Sequence, residues 1–386
     1  MNIADKKQGF SWFIFSLMAS VTFMAILSEL APSGILPQMS AALQVSTADI
    51  GFLVGIYALA SAVFTIPLIS LTLRFNRKSL LLVLLLGFAV SNIIVGLSSN
   101  YYVIVGFRIM GGICAGVLWP MIAAYGTRLV PSHMQGRAIA VIMAGATLGI
   151  SLGLPLVTYV GTMIGWRLEF ISLGGLIAII ALLSYIFLPS VAGEERSKSN
   201  SPLALLKMPA VLIILGLTFL VVIAHYAVYT YITLLMTSLN FIGGVELALL
   251  IFGIGSVISV IVSARYIDTF LRGLIISMII AAAVAMALFI FFSQYQGVSY
   301  IAFLLWGLAF GPVVTLFQAA ISKQVDRAKD VATSLQSSIF NFSIMIASYA
   351  GGILLTLTSG IGLAYLALLL FIPAIFIAFL AKRTLA

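Results

Sequence analysis

The sequence is poor in charge. Only 8% of its 386 residues are Asp, Glu, Lys or Arg, whereas 63% are hydrophobic and the mean hydropathy is +1.24. A soluble globular chain carries about 25% charged residues. The shortage of charge therefore excludes an ordinary soluble domain and indicates an integral membrane protein.

Residues that build metal, nucleotide and disulfide sites are also scarce. Cys114 is the single cysteine, so no internal disulfide can form, and with two histidines no metal site is expected. The G-x-x-x-x-G-K-[ST] phosphate loop is absent, which argues against ATP-driven pumping. No stretch outside the apolar segments is long enough for an enzyme domain. We therefore expect neither an enzyme nor a cofactor.

Twelve apolar segments are long enough to cross roughly 30 Å of hydrocarbon as helices. They cover residues 10–36, 47–73, 79–98, 102–128, 136–163, 168–188, 210–238, 245–267, 273–293, 298–321, 331–357 and 361–381. The longest hydrophilic stretch follows the sixth segment. The sequence thus predicts an all-α membrane protein with an amino-terminal six-helix bundle (1–189), a cytoplasmic linker (190–209) and a carboxy-terminal six-helix bundle (210–386).

The basic residues predict an orientation. All but two of the 19 lysines and arginines fall on the side of the amino terminus. The exceptions are Arg108, within a segment, and Arg167, on the opposite side. Cytoplasmic loops of membrane proteins carry an excess of Lys and Arg. We therefore expect a multi-pass inner-membrane protein with both termini in the cytoplasm, and we assign the net charge of +9 to topology, with no nucleic-acid partner.

Glu29 is the only charged residue between Lys7 and Asp49, and it lies deep in the first segment. A carboxylate there costs several kcal/mol unless it is paired, hydrated or protonated. Arg108 in the fourth segment is predicted at the same level, about 10 Å from the outer end at 1.5 Å per residue. The two side chains can pair, directly or through water, or each can be satisfied separately by backbone carbonyls and water.

The seventh segment carries His225 near its middle, with Tyr226 and Tyr229 beside it. At helical spacing His225, Tyr229 and Ile232 share one face, and Tyr231 points elsewhere. His225 can relay protons or bind a polar substrate, or it can be a neutral imidazole bonded to another helix. Further candidates to line a substrate cavity are Trp119, Trp306, Gln318, Gln336 and Asn341.

In the fifth segment, Gly145, Gly149 and Gly153 recur every four residues, and Pro155 follows them. This spacing puts the glycines on one helix face, where a neighbouring backbone can approach closely. Pro155 permits a bend. Plain packing and a seal or hinge between the two halves both fit the pattern.

Three stretches resemble the major facilitator superfamily, and specifically its twelve-helix drug:proton antiporter branch. Residues 108–116 match the Arg-x-x-x-Gly pattern of the fourth helix, and residues 145–155 resemble the glycine-proline motif of exporters. Arg74, Arg77 and Lys78 resemble the basic half of the cytoplasmic gating loop. Leu73 stands where that loop usually has Asp, so the charge network of that Asp is in question here.

Two further stretches, residues 28–37 and 224–232, are similar to the subfamily of sugar, arabinose and purine-nucleoside exporters. The resemblance implies the major facilitator fold, with two pseudo-symmetric bundles and alternating access. It implies a monomeric, proton-coupled efflux antiporter for a sugar, nucleoside or drug, with protons and the bilayer as further partners. Glu29, Arg108 and His225 are the candidates for proton coupling. Glu29 can carry the proton, bind the substrate or do each in turn. A proton-coupled uptake symporter and a lipid or amphiphile translocase are the alternatives.

Overall fold

The computed structural model describes residues 11–72, 74–131, 134–193, 205–324, 329–382 and 384–385, which form helices and no strand. Twelve helical stretches in these residues are long and apolar enough to cross a membrane, which confirms the predicted number. Spans 1 to 12 are Trp12–Gly34, Thr47–Thr65, Arg77–Leu97, Tyr101–Arg128, Arg137–Ile164, Trp166–Phe187, Pro209–Tyr229, Gly244–Ile267, Thr269–Phe291, Gln296–Lys323, Ala332–Leu357 and Gly360–Leu380.

Some spans belong to longer helices. Span 2 is part of Thr47–Thr72, and span 11 is part of Lys329–Leu357. Spans 8 and 9 form one helix, Gly244–Phe291, which is kinked at Phe270 (φ −130°, ψ 29°). The predicted break between residues 267 and 273 is this kink.

Other spans are interrupted. Span 10 consists of Gln296–Phe310 and Val313–Lys323, separated by Gly311 and Pro312. Proline interrupts a helix because it has no N–H to donate and its ring clashes with the preceding turn. In span 5, the π-helix Gly149–Gly153 separates the α-helices Gln135–Leu148 and Leu154–Ile164.

The predicted helix 210–238 is wrong in one respect. Span 7 ends at Tyr229, and a separate helix, Ile232–Ser238, follows it. Tyr231 between them has φ −112° and ψ 29°. Ile232 therefore does not continue the helix face of His225 and Tyr229. A short helix that the sequence did not predict, Leu36–Leu43, follows span 1 and carries a proline in its first turn.

Spans 1 to 6 pack against one another, and so do spans 7 to 12, which gives the predicted six-plus-six architecture. Span 2 packs against span 11 and span 5 against span 8, so these two pairs join the bundles. We call the side on which span 1 begins the near face and the side on which it ends the far face.

The two bundles are tightly joined in the far half of the molecule. The Thr162 hydroxyl of span 5 donates a hydrogen bond of 3.0 Å to the Glu246 carboxylate of span 8. A Cβ added at Gly51 of span 2 would lie 2.2 Å from the Tyr231 hydroxyl, so that glycine lets the tyrosine reach the other bundle. The far half is therefore closed by side chains from both bundles.

At the near face, the start of the predicted linker lies against the amino-terminal bundle. The Arg77 backbone N–H donates to the Val191 carbonyl (2.8 Å), and the Arg128 guanidinium donates to the Ala192 carbonyl (2.9 Å). Residues 194–204 of the linker and Leu73 of the loop between spans 2 and 3 lie outside the described residues.

Candidate functional site

Glu29 lies in the most enclosed part of span 1. Every residue from Met24 to Gly34 is buried, and Glu29 itself is only 5% exposed. Span 1 is therefore surrounded by other helices at this level. Its carboxyl group lies in the protein interior, where an unpaired ionised group is costly.

The Arg108 guanidinium is held by backbone carbonyls. Its Nε donates to the Leu53 carbonyl of span 2 (3.0 Å), Nη2 to the Glu29 carbonyl (2.7 Å), and Nη1 to the Ser28 carbonyl. The side chain of Glu29 therefore lies beside this positive charge, because Arg108 bonds to the backbone of the same residue. Of the arrangements that the sequence left open, the structure has Arg108 satisfied by carbonyls.

The local sequence explains why those carbonyls accept. In an α-helix the Ser28 carbonyl would receive the N–H of residue 32, but residue 32 is proline and has none. A buried carbonyl needs a donor, and Arg108 supplies it. Pro32, one turn after Ser28, therefore leaves the Ser28 carbonyl free to accept a hydrogen bond from Arg108.

The Arg-x-x-x-Gly pattern has a packing role. A Cβ added at Gly112, one turn after Arg108, would lie 2.1 Å from the Tyr57 carbonyl oxygen, so glycine is needed for span 2 to approach span 4. This approach places the Tyr57 ring 4.4 Å from the guanidinium carbon. A cation over an aromatic face is stabilised by the ring quadrupole.

The carboxy-terminal bundle contributes an aromatic cluster in its interior, which we call the aromatic cluster. It is built around His225, and its members are His225, Tyr226, Tyr229, Phe252, Trp306 and Phe310. The Trp306 indole Nε1–H donates to His225 Nδ1 at 2.9 Å. Because Nδ1 accepts this bond, the imidazole is neutral in this arrangement, with its proton on Nε2. The Phe310 ring stacks on the imidazole at 3.2 Å and 4°.

Tyr226 belongs to the aromatic cluster and lies on its side towards Glu29 and Arg108. Its ring packs edge-on against Phe310 of span 10 and Phe340 of span 11. Tyr226 also lies near Glu29 of the other bundle. The structure thus brings together four of the sequence candidates, namely Glu29, Arg108, Tyr226 and His225, from spans 1, 4 and 7.

The other candidates are placed less specifically. Trp119 in span 4 and Gln318 in span 10 are half-buried. The half-buried Asn341 donates to the Ser337 carbonyl of its own helix at 2.9 Å. Gln336 is 1% exposed, and in the part of the chain that the structure describes both its amide nitrogen and its oxygen lack a hydrogen-bond partner. Buried amides are usually satisfied, so Gln336 is the better candidate to bind a ligand.

The glycines of span 5 face span 1. A Cβ at Gly145 would lie 1.9 Å from the Ala19 carbonyl oxygen, and one at Gly149 would lie 2.2 Å from the Ile26 side chain. Gly153 faces Phe23 and Leu27. These glycines therefore pack span 5 against the span that carries Glu29, within one bundle.

A second contact from span 5 to the other bundle, besides the bond from Thr162 to Glu246, is made by Ser151. A Cβ added at Gly253 of span 8 would lie 2.3 Å from the Ser151 carbonyl oxygen. The usual helical donor to that carbonyl is missing because residue 155 is proline. Pro155 and the π-helix thus shape the surface of span 5 that meets the second bundle.

The three basic residues of the predicted gating loop have different surroundings. Arg74 is exposed, whereas Arg77 is buried and its Nε has no hydrogen-bond partner. The Lys78 ammonium lies 5.4 Å from the centre of the Tyr185 ring. Their charges lie at the near face, away from the far-half contacts.

Four residues of the site were not predicted. Tyr57, Phe252 and Phe310 are aromatic residues in apolar segments, and no sequence signal separates them from ordinary packing residues. Tyr231 was predicted to point away from the face of His225, and its hydroxyl donates to the carbonyl of Ser348 in span 11 (2.6 Å). Its role depends on the break in span 7.

Twelve helices in two bundles, with charged and aromatic side chains enclosed midway between them, are the construction of a membrane transporter. A profile of the Major Facilitator Superfamily matches residues 18–332. The chain belongs to this superfamily.

Relatives of similar length include chloramphenicol efflux pumps from two strains of Mycobacterium tuberculosis, CDC 1551 / Oshkosh and ATCC 25618 / H37Rv. Each is 29% identical over 370 residues, which is 92% of this chain and 90% of the relative. Among solved structures, the nucleoside transporter NupG aligns with a TM-score of 0.76 and 14% identity, covering 97% of this chain and 99% of its own.

The human organic anion transporter MFSD10 (TETRAN) aligns with a TM-score of 0.70 and 16% identity, over 95% of this chain and 97% of its own. A bacterial homologue of the human lysosomal transporter Spinster, in an inward-facing and unoccupied conformation, aligns with a TM-score of 0.69 and 15% identity, over 98% of each chain. At such identities these structures establish the fold.

Proposed function

We propose that this transporter is a proton-coupled antiporter that exports a small organic solute of the chloramphenicol type by alternating access. The observation that carries the proposal is the environment of Glu29. This residue is buried in the protein interior, while the neighbouring guanidinium donates its hydrogen bonds to three backbone carbonyls. Glu29 can therefore gain and lose a proton while Arg108 stays in place.

Two opposed influences act on this carboxyl group. Apolar burial favours the neutral acid, and the Arg108 charge favours the carboxylate. Arginine does not deprotonate under physiological conditions, so its charge is constant. A change in hydration as the site opens to one face or the other would shift the balance, which is the requirement for coupling proton uptake to substrate release.

The substrate class follows from the relatives and from the aromatic cluster. The two Mycobacterium tuberculosis relatives are chloramphenicol efflux pumps. Tyr226 and Trp306 can contact an aromatic ring, and the unpartnered Gln336 amide can bond to amide or hydroxyl groups. Sugars and nucleosides present similar groups, so they belong in the same test.

In the proposed orientation the near face is cytoplasmic. The far half is closed by Tyr231 between spans 2 and 11 and by the bond from Thr162 to Glu246. A transporter closed at the far half, as in this structure, would receive substrate from the cytoplasm at the near face. Separation of the far-half contacts would then open the far face and release the substrate.

The direct test is transport by the purified protein in liposomes with an imposed pH gradient. Radiolabelled chloramphenicol should move against its gradient, and an uncoupler should abolish the movement. Glu29→Gln keeps the shape of the side chain but cannot bind the proton, so the variant should lose gradient-driven transport and keep substrate binding. Asp49→Asn, which changes an exposed carboxylate at the start of span 2, serves as the matched control.

Gradient-driven transport by Glu29→Gln at the wild-type rate would contradict the proposed role of Glu29. Substrate and proton movement in the same direction would instead identify an uptake symporter. Transfer of labelled lipid with no transport of chloramphenicol, sugars or nucleosides would identify a translocase.

A further inference from the structure

A second buried carboxyl group lies in the amino-terminal bundle, away from the site described above. Glu169 in the first turn of span 6 is 1% exposed, and among the described residues neither of its carboxylate oxygens has a hydrogen-bond partner. It lies one turn from the far face, since its N–H donates to the carbonyl of Gly165, the exposed turn residue between spans 5 and 6. The predicted segment 168–188 included Glu169, but the sequence did not single it out as a functional residue.

The surroundings of Glu169 are shaped to receive it. A Cβ added at Gly161 of span 5 would lie 1.8 Å from Glu169 Oε2 and 2.9 Å from the Ile35 side chain. Glycine at this position therefore leaves room for the carboxyl group between spans 1, 5 and 6. A buried ionised carboxylate without partners is strongly disfavoured, so the group needs a proton or water in this place.

Two more buried hydroxyls without partners lie between Glu169 and Glu29. They are Thr158 Oγ1 and Ser33 Oγ. Thr158 is on the same side of span 5 as Gly161, three residues away, and a Cβ added at Gly34 would lie 2.1 Å from its hydroxyl. Ser33 follows Glu29 by one helical turn. Unpartnered polar groups are rare inside proteins, and here they form a series that leads from the far face towards Glu29.

Charged neighbours do not account for Glu169. The guanidinium of Arg167, two residues earlier, donates to the Ser98 carbonyl (2.7 Å) and the Ser99 hydroxyl (3.2 Å). Spans 1, 3 and 5 pack against span 6. No described residue of these spans donates a hydrogen bond to either carboxylate oxygen of Glu169. The charged or titratable side chains on those three spans are Glu29, Arg77, Lys78, Arg137 and Tyr159.

We propose that Glu169, Thr158 and Ser33 form the proton path from the far face to Glu29. This inference rests on the proposed proton coupling. A hydronium ion at the far face gives its proton to the Glu169 carboxylate and becomes water. The O–H bond at Glu169 then breaks as the proton moves along the hydroxyls and intervening water, and a new O–H bond forms at the Glu29 carboxylate. Glu169 is left ionised and is protonated again from the far face.

The test compares two modes of transport in liposomes, namely transport driven by a pH gradient and substrate exchange without a gradient. Glu169→Gln and Thr158→Val should slow gradient-driven transport by roughly tenfold, the factor that a 1.36 kcal/mol increase in a barrier produces. Exchange should stay at the wild-type rate. Ser184→Ala is the matched control, because Ser184 is another buried, unpartnered hydroxyl near the opposite end of span 6.

Infrared difference spectra of the purified protein after a pH change provide a second readout that needs no transport. The carbonyl band of a protonated carboxylic acid should lose one component in Glu169→Gln and a different one in Glu29→Gln. If Glu169→Gln does not fold, Ser33→Ala combined with Thr158→Val gives the same transport comparison.

Wild-type gradient-driven transport in Glu169→Gln, or in the double variant, would overturn the inference. An equal loss of exchange and gradient-driven transport would also overturn it, since this indicates a structural role. If the wild-type protein itself shows no dependence on the pH gradient, the proposed function fails instead, which separates the two failures.

Discussion

The two bundles meet at the centre of the molecule with different chemistry. The amino-terminal bundle contributes a carboxylate and a guanidinium, with Arg108 bonded to three backbone carbonyls. The carboxy-terminal bundle contributes aromatic rings around a neutral imidazole that accepts a bond from Trp306. Charge is thus concentrated in one half, and polarisable apolar surface in the other.

The difference teaches how one fold can bind two unlike partners. Proton binding requires a titratable group in fixed surroundings. The three backbone carbonyls that accept hydrogen bonds from Arg108 hold its positive charge beside Glu29. An organic solute requires surface area and a few polar contacts. We propose that the first bundle handles the proton and the second most of the substrate, with Tyr226 in contact with both.

The largest effect is expected from removing the constant positive charge of Arg108, which distinguishes the amino-terminal bundle from the aromatic carboxy-terminal one. Arg108→Ala would leave three buried carbonyls without a donor, so stability should fall by about 3–5 kcal/mol, as for other buried charge networks. Thermal unfolding in detergent measures the change. Arg167→Ala, which also removes an arginine-to-carbonyl bond but near the far face, should cost less than about 1 kcal/mol. Equal losses in the two variants would contradict the special role of Arg108.

A second prediction concerns the contact between the bundles. Gly253→Ala should clash with the Ser151 backbone of span 5 and favour the state with the far half open, without unfolding either bundle. Labelling by an impermeant maleimide of Ser348→Cys, a buried position of span 11 that faces Gly55 of span 2, should increase several-fold in a Cys114→Ala background. Gly255→Ala, two residues further, clashes with Leu304 inside the same bundle and should lower stability by about 1–3 kcal/mol with little change in labelling. The reverse pattern would reject the assignment of Gly253 to the interface.

The smallest effect is expected in the aromatic half. Trp306→Phe keeps an aromatic ring at this position but removes the indole N–H that donates to His225 Nδ1. Leaving Nδ1 without a donor should lower the free energy of unfolding by about 1–3 kcal/mol. The KM for chloramphenicol should rise, while the ratio of protons to substrate should stay constant. A change in that ratio would show that His225 takes part in proton coupling and that the two halves are less distinct than proposed.

Much of the architecture could be predicted from the sequence because membrane thickness dictates the length of each apolar segment. The twelve spans, the kink near residue 270 and the isolation of Glu29 and Arg108 follow from this constraint. The position of the arginine bonds could not be predicted, since it depends on the carbonyl that Pro32 leaves free and on the close approach that Gly112 permits.

Tertiary packing decided the rest. Phe252 and Phe310 join His225 only because the fold brings side chains of spans 8 and 10 to the middle of span 7. The spacing of Gly145, Gly149 and Gly153 in span 5 fitted both plain packing and a seal or hinge between the halves. Only the folded protein shows that these glycines face span 1. Glu169 was visible as an acidic residue at the edge of a predicted segment, but its burial depends on Gly161 in the neighbouring span.

The most direct measurement of the central claim is proton release when substrate binds to the purified protein in weakly buffered detergent solution. If Glu29 exchanges a proton for substrate, chloramphenicol should release protons from the wild-type protein in proportion to the amount bound. The Glu29→Gln variant should bind chloramphenicol and release none. Equal proton release by both proteins would contradict the account.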